Sequence, residues 1–289
     1  MGKYSIKELE QLSGIKAHTI RIWEKRHKLI DPARTPTNIR FYSDDDLKKI
    51  INVSLLNNHG LKISKIADMS AEQMNLKVLE LSEHKNDTAI HIDQLVIAMI
   101  GMEEEGFEKT LNNLILRYTF ERAITEIVYP FLGKIGVLWQ TQNITPAHEH
   151  FISNLIRQKL IVAIDGLPLP PKTSRKVLLF LPEGELHELA LLFFHYLTRK
   201  AGFRTYYLGQ SVPHDDLVSV FHVHQPDILI SSITTATTEP IEKYLSRLTA
   251  DFPNVPILIS GQQMQKFKSG KVNNIQTFQQ ATELNHFLG

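Results

Sequence analysis

Hydrophobic positions change their period along the chain. Ile6, Leu9 and Leu12 form a helical stripe, Ser13-Gly14 breaks it, and Ile20 and Trp23 resume it, the spacing of a helix-turn-helix. The stretch "LIDPARTPTNIRFYSDDDLKKI" then places a Pro/Thr/Asn-rich turn between two short extended pieces. It ends at Ser43, a good N-cap followed by acids, which predicts a wing and a further helix. The polar run "EHKNDT" at 83–88 reads as a linker. From about Ile90 to Leu167 the period is helical throughout, as in Leu111, Leu114, Ile115 and Tyr118, then Ile124, Ile127, Val128 and Phe131, which predicts a four-helix bundle. Its last helix starts with Thr145 as N-cap and Pro146 in the first helical position. Beyond residue 174 the pattern becomes short, wholly apolar runs, Val177–Leu181, "DILISSIT" and "VPILISG", separated by helical stretches, the signature of a doubly wound parallel sheet. The predicted organisation is multidomain, α and α/β: a winged helix-turn-helix at 1–75, a linker at 76–89, a helical bundle at 90–170 and a Rossmann-like domain at 174–289.

Composition narrows the chemistry. The 289 residues are 43% hydrophobic and carry a net charge of only +1, yet residues 1–70 hold 13 Lys/Arg against 8 Asp/Glu and the remainder 19 against 23. The positive charge is therefore concentrated in the N-terminal part, where a polyanion would bind. The absence of cysteine excludes disulfides, thiolate metal sites and cysteine nucleophiles. With no signal-like N-terminus and no apolar run long enough to span a bilayer, the expectation is a cytoplasmic protein without a membrane partner.

The second helix is expected to carry Lys16, His18, Thr19, Arg21, Lys25 and Arg26 opposite its apolar face, as a helix lying in the major groove requires, although such a face is equally compatible with plain solvation. Tyr4-Ser5-Ile6, Thr19-Ile20-Arg21-Ile22-Trp23-Glu24, Pro32, Arg34 and Arg40-Phe41-Tyr42 are similar to the MerR-type winged-helix domain over roughly residues 3–70. The resemblance implies base or backbone contacts to double-stranded DNA from Thr19 and Arg21, and phosphate contacts from Arg34, Arg40 and Tyr42 in the wing. It also implies a long dimerisation helix after the wing, from which this chain departs, and metal-sensing members use cysteines that it lacks.

In the C-terminal part, a ligand is expected outside the carboxyl ends of the strands, where Glu185, His187, Ser231, Ser232, Ser260 and Gly261 fall. No GxGxxG or GxxxxGK[ST] loop is present, which argues against a dinucleotide or ATP. Glu185-Leu186-His187-Glu188-Leu189-Ala190 resembles the cobalamin-binding signature, acid-x-His-x-x-Gly, in which the histidine ligates cobalt from below. The residue types suit that role, since an imidazole nitrogen is a good cobalt ligand and a carboxylate on the other nitrogen fixes the tautomer. The resemblance makes His187 the metal ligand, Glu185 its partner, and Ser231, Ser232, Ile233, Ser260 and Gly261 the lining of a slot for the cofactor's nucleotide tail. Ala190 and Ser260 stand where the signature has glycine, and each adds bulk near that slot.

Trp139, nine intervening residues and Glu149-His150 resemble the W-x9-E-H signature in the helical cap of light-responsive, MerR-type cobalamin regulators of the CarH and LitR kind. Without that resemblance, Trp139 reads as a core aromatic, Glu149 as a complement to its helix dipole and His150 as a surface histidine. His148 and His150, two apart on a helix, do not share a face as chelating residues would. The resemblance covers essentially the whole chain. It implies a non-enzymatic transcriptional repressor that binds adenosylcobalamin in the dark, assembles into a dimer or tetramer that raises avidity for an operator, and dissociates on illumination. Trp139, Glu149 and His150 would serve the upper axial group, and Gln140, next to Trp139, is no strong cobalt ligand. The alternatives are a cobalamin-independent MerR-type regulator with a degenerate sensory half, and a corrinoid enzyme subunit.

Overall fold

The computed structural model describes residues 3–84, 87–140, 144–235, 239–266 and 274–288. It divides into two compact units, 1–155 and 156–289.

The first unit opens with α1 (Ile6–Ser13) and α2 (Ala17–His27), followed by a hairpin of β1 (Ala33–Arg34) and β2 (Arg40–Phe41). Helices α3 (Asp44–Asn58), α4 (Ile63–Ala67) and α5 (Ala71–His84) come next. Capping boxes at Ser5 with Glu8 and at Ser43 with Asp46 start α1 and α3, and Gly14, at φ 72°, ends α1 in a left-handed turn. Helix α2 takes its N-terminal cap from α1: the Glu10 carboxylate accepts from Ala17 N at 3.0 Å and pairs with Lys16 Nζ at 3.0 Å. Lys16 thus precedes α2 as its N-cap residue instead of lying within the helix.

Helices α6 (Thr88–Gly101), α7 (Glu104–Arg117), α8 (Phe120–Ala123), α9 (Tyr129–Gln140) and α10 (Pro146–Asp165) form the helical region, with a π-helical turn at Ile124–Val128 joining α8 to α9. The domain boundary expected at 76–89 is corrected by the structure. Helix α5 continues to His84, Asp87 already caps α6, and both α5 and α6 pack on α3. Asp87 and Thr88 of the polar run cap and begin α6, Lys85 and Asn86 lie outside the described residues, and Met74 and Val78 of α5 are buried.

The second unit is a five-stranded parallel sheet, in the order β4-β3-β5-β6-β7, built from β3 (Lys176–Pro182), β4 (Arg204–Val212), β5 (Ile228–Ser232), β6 (Ile257–Ser260) and β7 (Ile275–Thr277). Helices α11 (Leu189–Lys200), α12 (His214–His224), α13 (Ile241–Asp251) and α14 (Ala281–Leu288) accompany it. The three central strands β3, β5 and β6 are buried almost throughout because both faces are covered. Leu178, Phe180, Leu229, Ile257 and Ile259 share one core with Leu217, Leu245 and Phe252, whereas α11 packs on β3 and β5 and meets α14, with Phe194 edge-on to Phe278 at 5.0 Å. The chain leaves β3 for β4 on one side and reaches β5 on the other, so the switch point of the topology lies at the carboxyl end of β3.

Gly261, at the end of β6, has φ 112°, and a Cβ there would stand 2.2 Å from Ile233 O. Ile233 N donates to Ser260 O at 2.8 Å, which holds the two strand ends at this separation. Gly261→Ala is expected to lower stability by roughly 2–4 kcal/mol through combined strain and overlap. A fall in urea midpoint of the cofactor-free protein, with its slope unchanged, checks this.

Candidate functional site: a histidine-carboxylate pair at the sheet switch point

The loop after β3 carries Gly184, Glu185, Leu186 and His187, with Gly184 in the left-handed region at φ 83°. Glu185 is 3% exposed, and each of its carboxylate oxygens has a separate task. Oε1 accepts from the His187 backbone N at 2.9 Å and lies 2.7 Å from His187 Nδ1. Oε2 accepts from Thr234 N at 2.7 Å, Thr235 N at 2.8 Å and Thr235 Oγ1 at 3.1 Å, all just beyond β5. On the opposite side, the end of β4 supports the same loop. Ser211 N donates to Glu185 O at 3.1 Å, Gly184 N to Ser211 Oγ at 3.1 Å, and Gln210 Nε2 to Leu186 O at 2.6 Å. Ser211 adopts φ 50° where β4 slips register against β3, and this irregularity turns its backbone toward the loop.

Burial alone would raise the Glu185 pKa, but the bonds from His187, Thr235 and Thr234 outweigh it and hold the carboxyl well below the usual range. The group is an anion that orients the His187 ring while the side chain of His187 remains 57% exposed. With Nδ1 directed at a carboxylate, the proton sits on Nδ1 and the Nε2 lone pair has the character of a metal ligand. Ser231, Ser232 and Ser260 are buried at the ends of β5 and β6, and Ser231 Oγ has no hydrogen-bond partner among the described residues. An orphaned hydroxyl among small residues beside the His-carboxylate pair fits a polar cofactor with a tail in this region. Ile233 is corrected as a slot residue: its side chain belongs to the apolar core, and only its backbone faces Gly261.

The pattern of residues did not reveal Thr234 and Thr235, which act mainly through backbone N–H groups, or a second ion pair behind the loop. Arg157 Nε lies 2.6 Å from Glu188 Oε1, and Tyr207 Oη donates to Glu188 Oε2 at 3.2 Å, fixing the start of α11.

In the first unit, Glu149 and His150 occupy the first turn of α10, with Thr145 O accepting from His148 N at 3.0 Å. Ser153 Oγ donates to Glu149 Oε1 at 2.6 Å, and His150 Nδ1 lies 3.0 Å from Glu149 Oε2. Trp139 lies in the last turn of α9, and its side chain is outside those described.

In the head, α2 exposes His18 and Arg21 and half-exposes Thr19, while Ile20 and Trp23 are buried. Arg34 and Arg40 are exposed in the hairpin, where Arg34 Nη1 donates to Asn38 Oδ1 at 2.7 Å. Glu24, given no role from the sequence, ties the wing to α2 through Arg40 Nε at 3.2 Å and Tyr42 Oη at 3.3 Å. Tyr42 departs from its expected phosphate contact. It is fully buried, bridges to Tyr4, and has its hydroxyl pKa pushed up to about 12 by burial and by Glu24.

Residues 4–73 match the MerR HTH family of regulatory proteins, and residues 91–163 and 175–272 match two B12 binding domain families. The chain is 27% identical to the HTH-type transcriptional repressor CarH of Myxococcus xanthus over 266 residues, covering 89% of this chain and 88% of that protein. It is 24% identical to the HTH-type transcriptional repressor CarA of the same organism, covering 89% and 85%. Among solved structures, the monomethylamine corrinoid protein of Methanosarcina barkeri aligns with TM-score 0.55 and 15% identity, covering 70% of this chain and 98% of that one, a likeness of fold. A MerR-type helix-turn-helix and B12-binding domains are thus combined in one chain.

A carboxylate held below its ordinary value of 4.5 contributes stability above that pH and loses it as the pH falls toward the folded value. The melting temperature of the parent minus that of Glu185→Gln is therefore expected to be positive at neutral pH and to narrow progressively below 4.5. Paired thermal melts across the acid range provide the check; a difference that stays constant would contradict this account of Glu185.

Proposed function

We propose that this MerR-type transcription regulator, homologous to the CarH repressor and carrying cobalamin-binding domains, represses transcription under the control of adenosylcobalamin and light. The observation that carries the reading is the Glu185–His187 pair, fixed from both neighbouring strands at the switch point, in a chain whose other end is a DNA-binding head. His187 is the proposed cobalt ligand from below and Glu185 the group that sets its tautomer. The buried serines 231, 232 and 260 flank the nucleotide tail, and Trp139, Glu149 and His150 serve the upper axial group. Bound adenosylcobalamin supplies a cobalt–carbon bond that light breaks.

The chain's own residues supply the rest. The loop at 183–187 is held by hydrogen bonds from the end of β4 and from the residues beyond β5, so little ordering opposes cofactor binding. Cofactor-dependent assembly into a dimer or tetramer would present several heads to one operator and raise avidity without new contacts. That link is allosteric in so far as cofactor state changes the affinity between subunits. That CarH and CarA are transcriptional repressors favours regulation over the corrinoid-enzyme alternative, since both are matched along most of their length.

Size-exclusion chromatography of the protein with adenosylcobalamin in the dark, recorded for protein and corrin and repeated after illumination, tests the reading. Co-elution as a larger species that shrinks on illumination is expected. His187→Ala should lose corrin retention, and Glu185→Gln should weaken it roughly 10- to 100-fold. Corrin that never travels with the protein would instead favour the cobalamin-independent regulator.

Arg21 gives a separate check on the head. Its exposed guanidinium on α2 is expected to read a base, so Arg21→Ala should cost about 1–3 kcal/mol on the operator and much less on unrelated DNA. Equal weakening on both duplexes in gel-shift titrations would reassign Arg21 to phosphate.

A further inference from the structure

Helix α2 presents to solvent a face that is polar and basic except at its centre. Its exposed residues are His18, Arg21, Ile22, Lys25 and Arg26. On a helix, His18 lies one turn before Ile22, Lys25 and Arg26 lie one turn after it, and Arg21 stands alongside. Ile22, at 44% exposure, is the one apolar side chain of this exposed group and sits in its midst.

The helix cannot turn to hide it. Ile20 and Trp23 are buried on the opposite face, and Glu24 is tied to Arg40 and Tyr42. At the other end, the Glu10 carboxylate accepts from Ala17 N and pairs with Lys16. The rotation of α2 about its own axis is therefore fixed, with Ile22 outward. A single exposed isoleucine is ordinary on a protein surface, so its surroundings must narrow its role. A second copy of the same face would bring Arg21, Lys25 and Arg26 against like charges. A polyanion attracts all three, and the contact that neutralises them encloses Ile22 as well.

In a major groove, an isoleucine has one favourable base partner. Thymine presents its C5 methyl group there, whereas adenine and cytosine present amino groups and guanine two acceptors. Against thymine, the methyl and the side chain leave water together. Against the other edges, the same side chain covers polar groups and leaves them without partners. We propose that Ile22 is a specificity determinant of the head, reading the C5 methyl of a thymine beside the base contacted by Arg21. The inference rests on α2 lying in the major groove. It adds an apolar reader to a surface whose other exposed side chains are polar or charged, so part of the sequence preference is insensitive to salt while the affinity as a whole falls as salt rises.

The test uses the full chain in the dark, with and without adenosylcobalamin. In vitro selection from random duplexes defines the preferred site, and each thymine of that site is then replaced in turn by uracil, which keeps every hydrogen-bonding group and lacks the methyl. At one or more thymines, uracil is expected to weaken binding by the parent about fourfold, the equivalent of one buried methyl group. Ile22→Ala, which removes the outer carbons at an exposed position, should melt as the parent does, bind the thymine and uracil duplexes alike, and select sites with no preference at that base. A selected site at which no uracil weakens the parent overturns the proposal and leaves the head a DNA reader, as does a uracil penalty that survives in Ile22→Ala. Failure to select any sequence in either cofactor state overturns the DNA-binding reading and the proposal with it. The uracil series on the parent chain decides the matter even where Ile22→Ala does not fold.

Discussion

The site in the C-terminal unit depends on a carboxylate buried where a carboxylate is costly. Glu185 is almost wholly removed from water, and it stays ionised because five hydrogen bonds, from His187, Thr234 and Thr235, replace its hydration. Those donors come from two different loops. The same charge that orients the His187 ring therefore also fastens the end of β3 to the end of β5. Ser211 and Gln210 secure the loop from the β4 side. Orientation of the imidazole and integrity of the switch point are consequently one property, and neither can be altered alone by changing Glu185.

Much of this arrangement was legible in the sequence. The apolar runs of β3, β5 and β6 announced strands buried on both faces, and Glu185-x-His187 announced a histidine paired with a carboxylate, a contact the structure contains. Ser43 as N-cap and Pro146 as first helical residue marked helix starts that the structure shares. What escaped had physical reasons. Thr234 and Thr235 contribute peptide N–H groups, which every non-proline residue has, so no residue pattern could single them out. Tyr42 lies two positions from the exposed Arg40, and its burial follows from pairing with Tyr4, far away in the chain, a contact that local spacing cannot carry. Ile233 follows two small residues, but its side chain belongs to the apolar core just beyond the strand end. Gly261 was assigned to the cofactor slot, whereas its φ and the proximity of Ile233 O require glycine on backbone grounds alone.

The expected linker illustrates a more general limit. A polar run such as "EHKNDT" can be solvated chain or the outer face of a packed helix, and composition does not separate the two. Here α5 carries Met74 and Val78 into the interior and abuts α3, and α6 follows almost at once. The buried Asn52 and His91 lie on opposite sides of this seam, in helices whose neighbours are apolar. Polar groups placed there are an unusual use of interior space, since the surrounding residues already supply a sufficient hydrophobic interface.

The continuity of α5 also bears on how such regulators diversify. Modular proteins exchange parts most readily where the chain crosses exposed, unpacked segments, because a break there leaves both cores intact. In this chain a crossover within 76–84 would sever a helix whose inner face is already committed to α3. Heads traded between related regulators at that position would arrive without their matching wall, so the winged helix-turn-helix and the first helices of the helical region are expected to be inherited as one block.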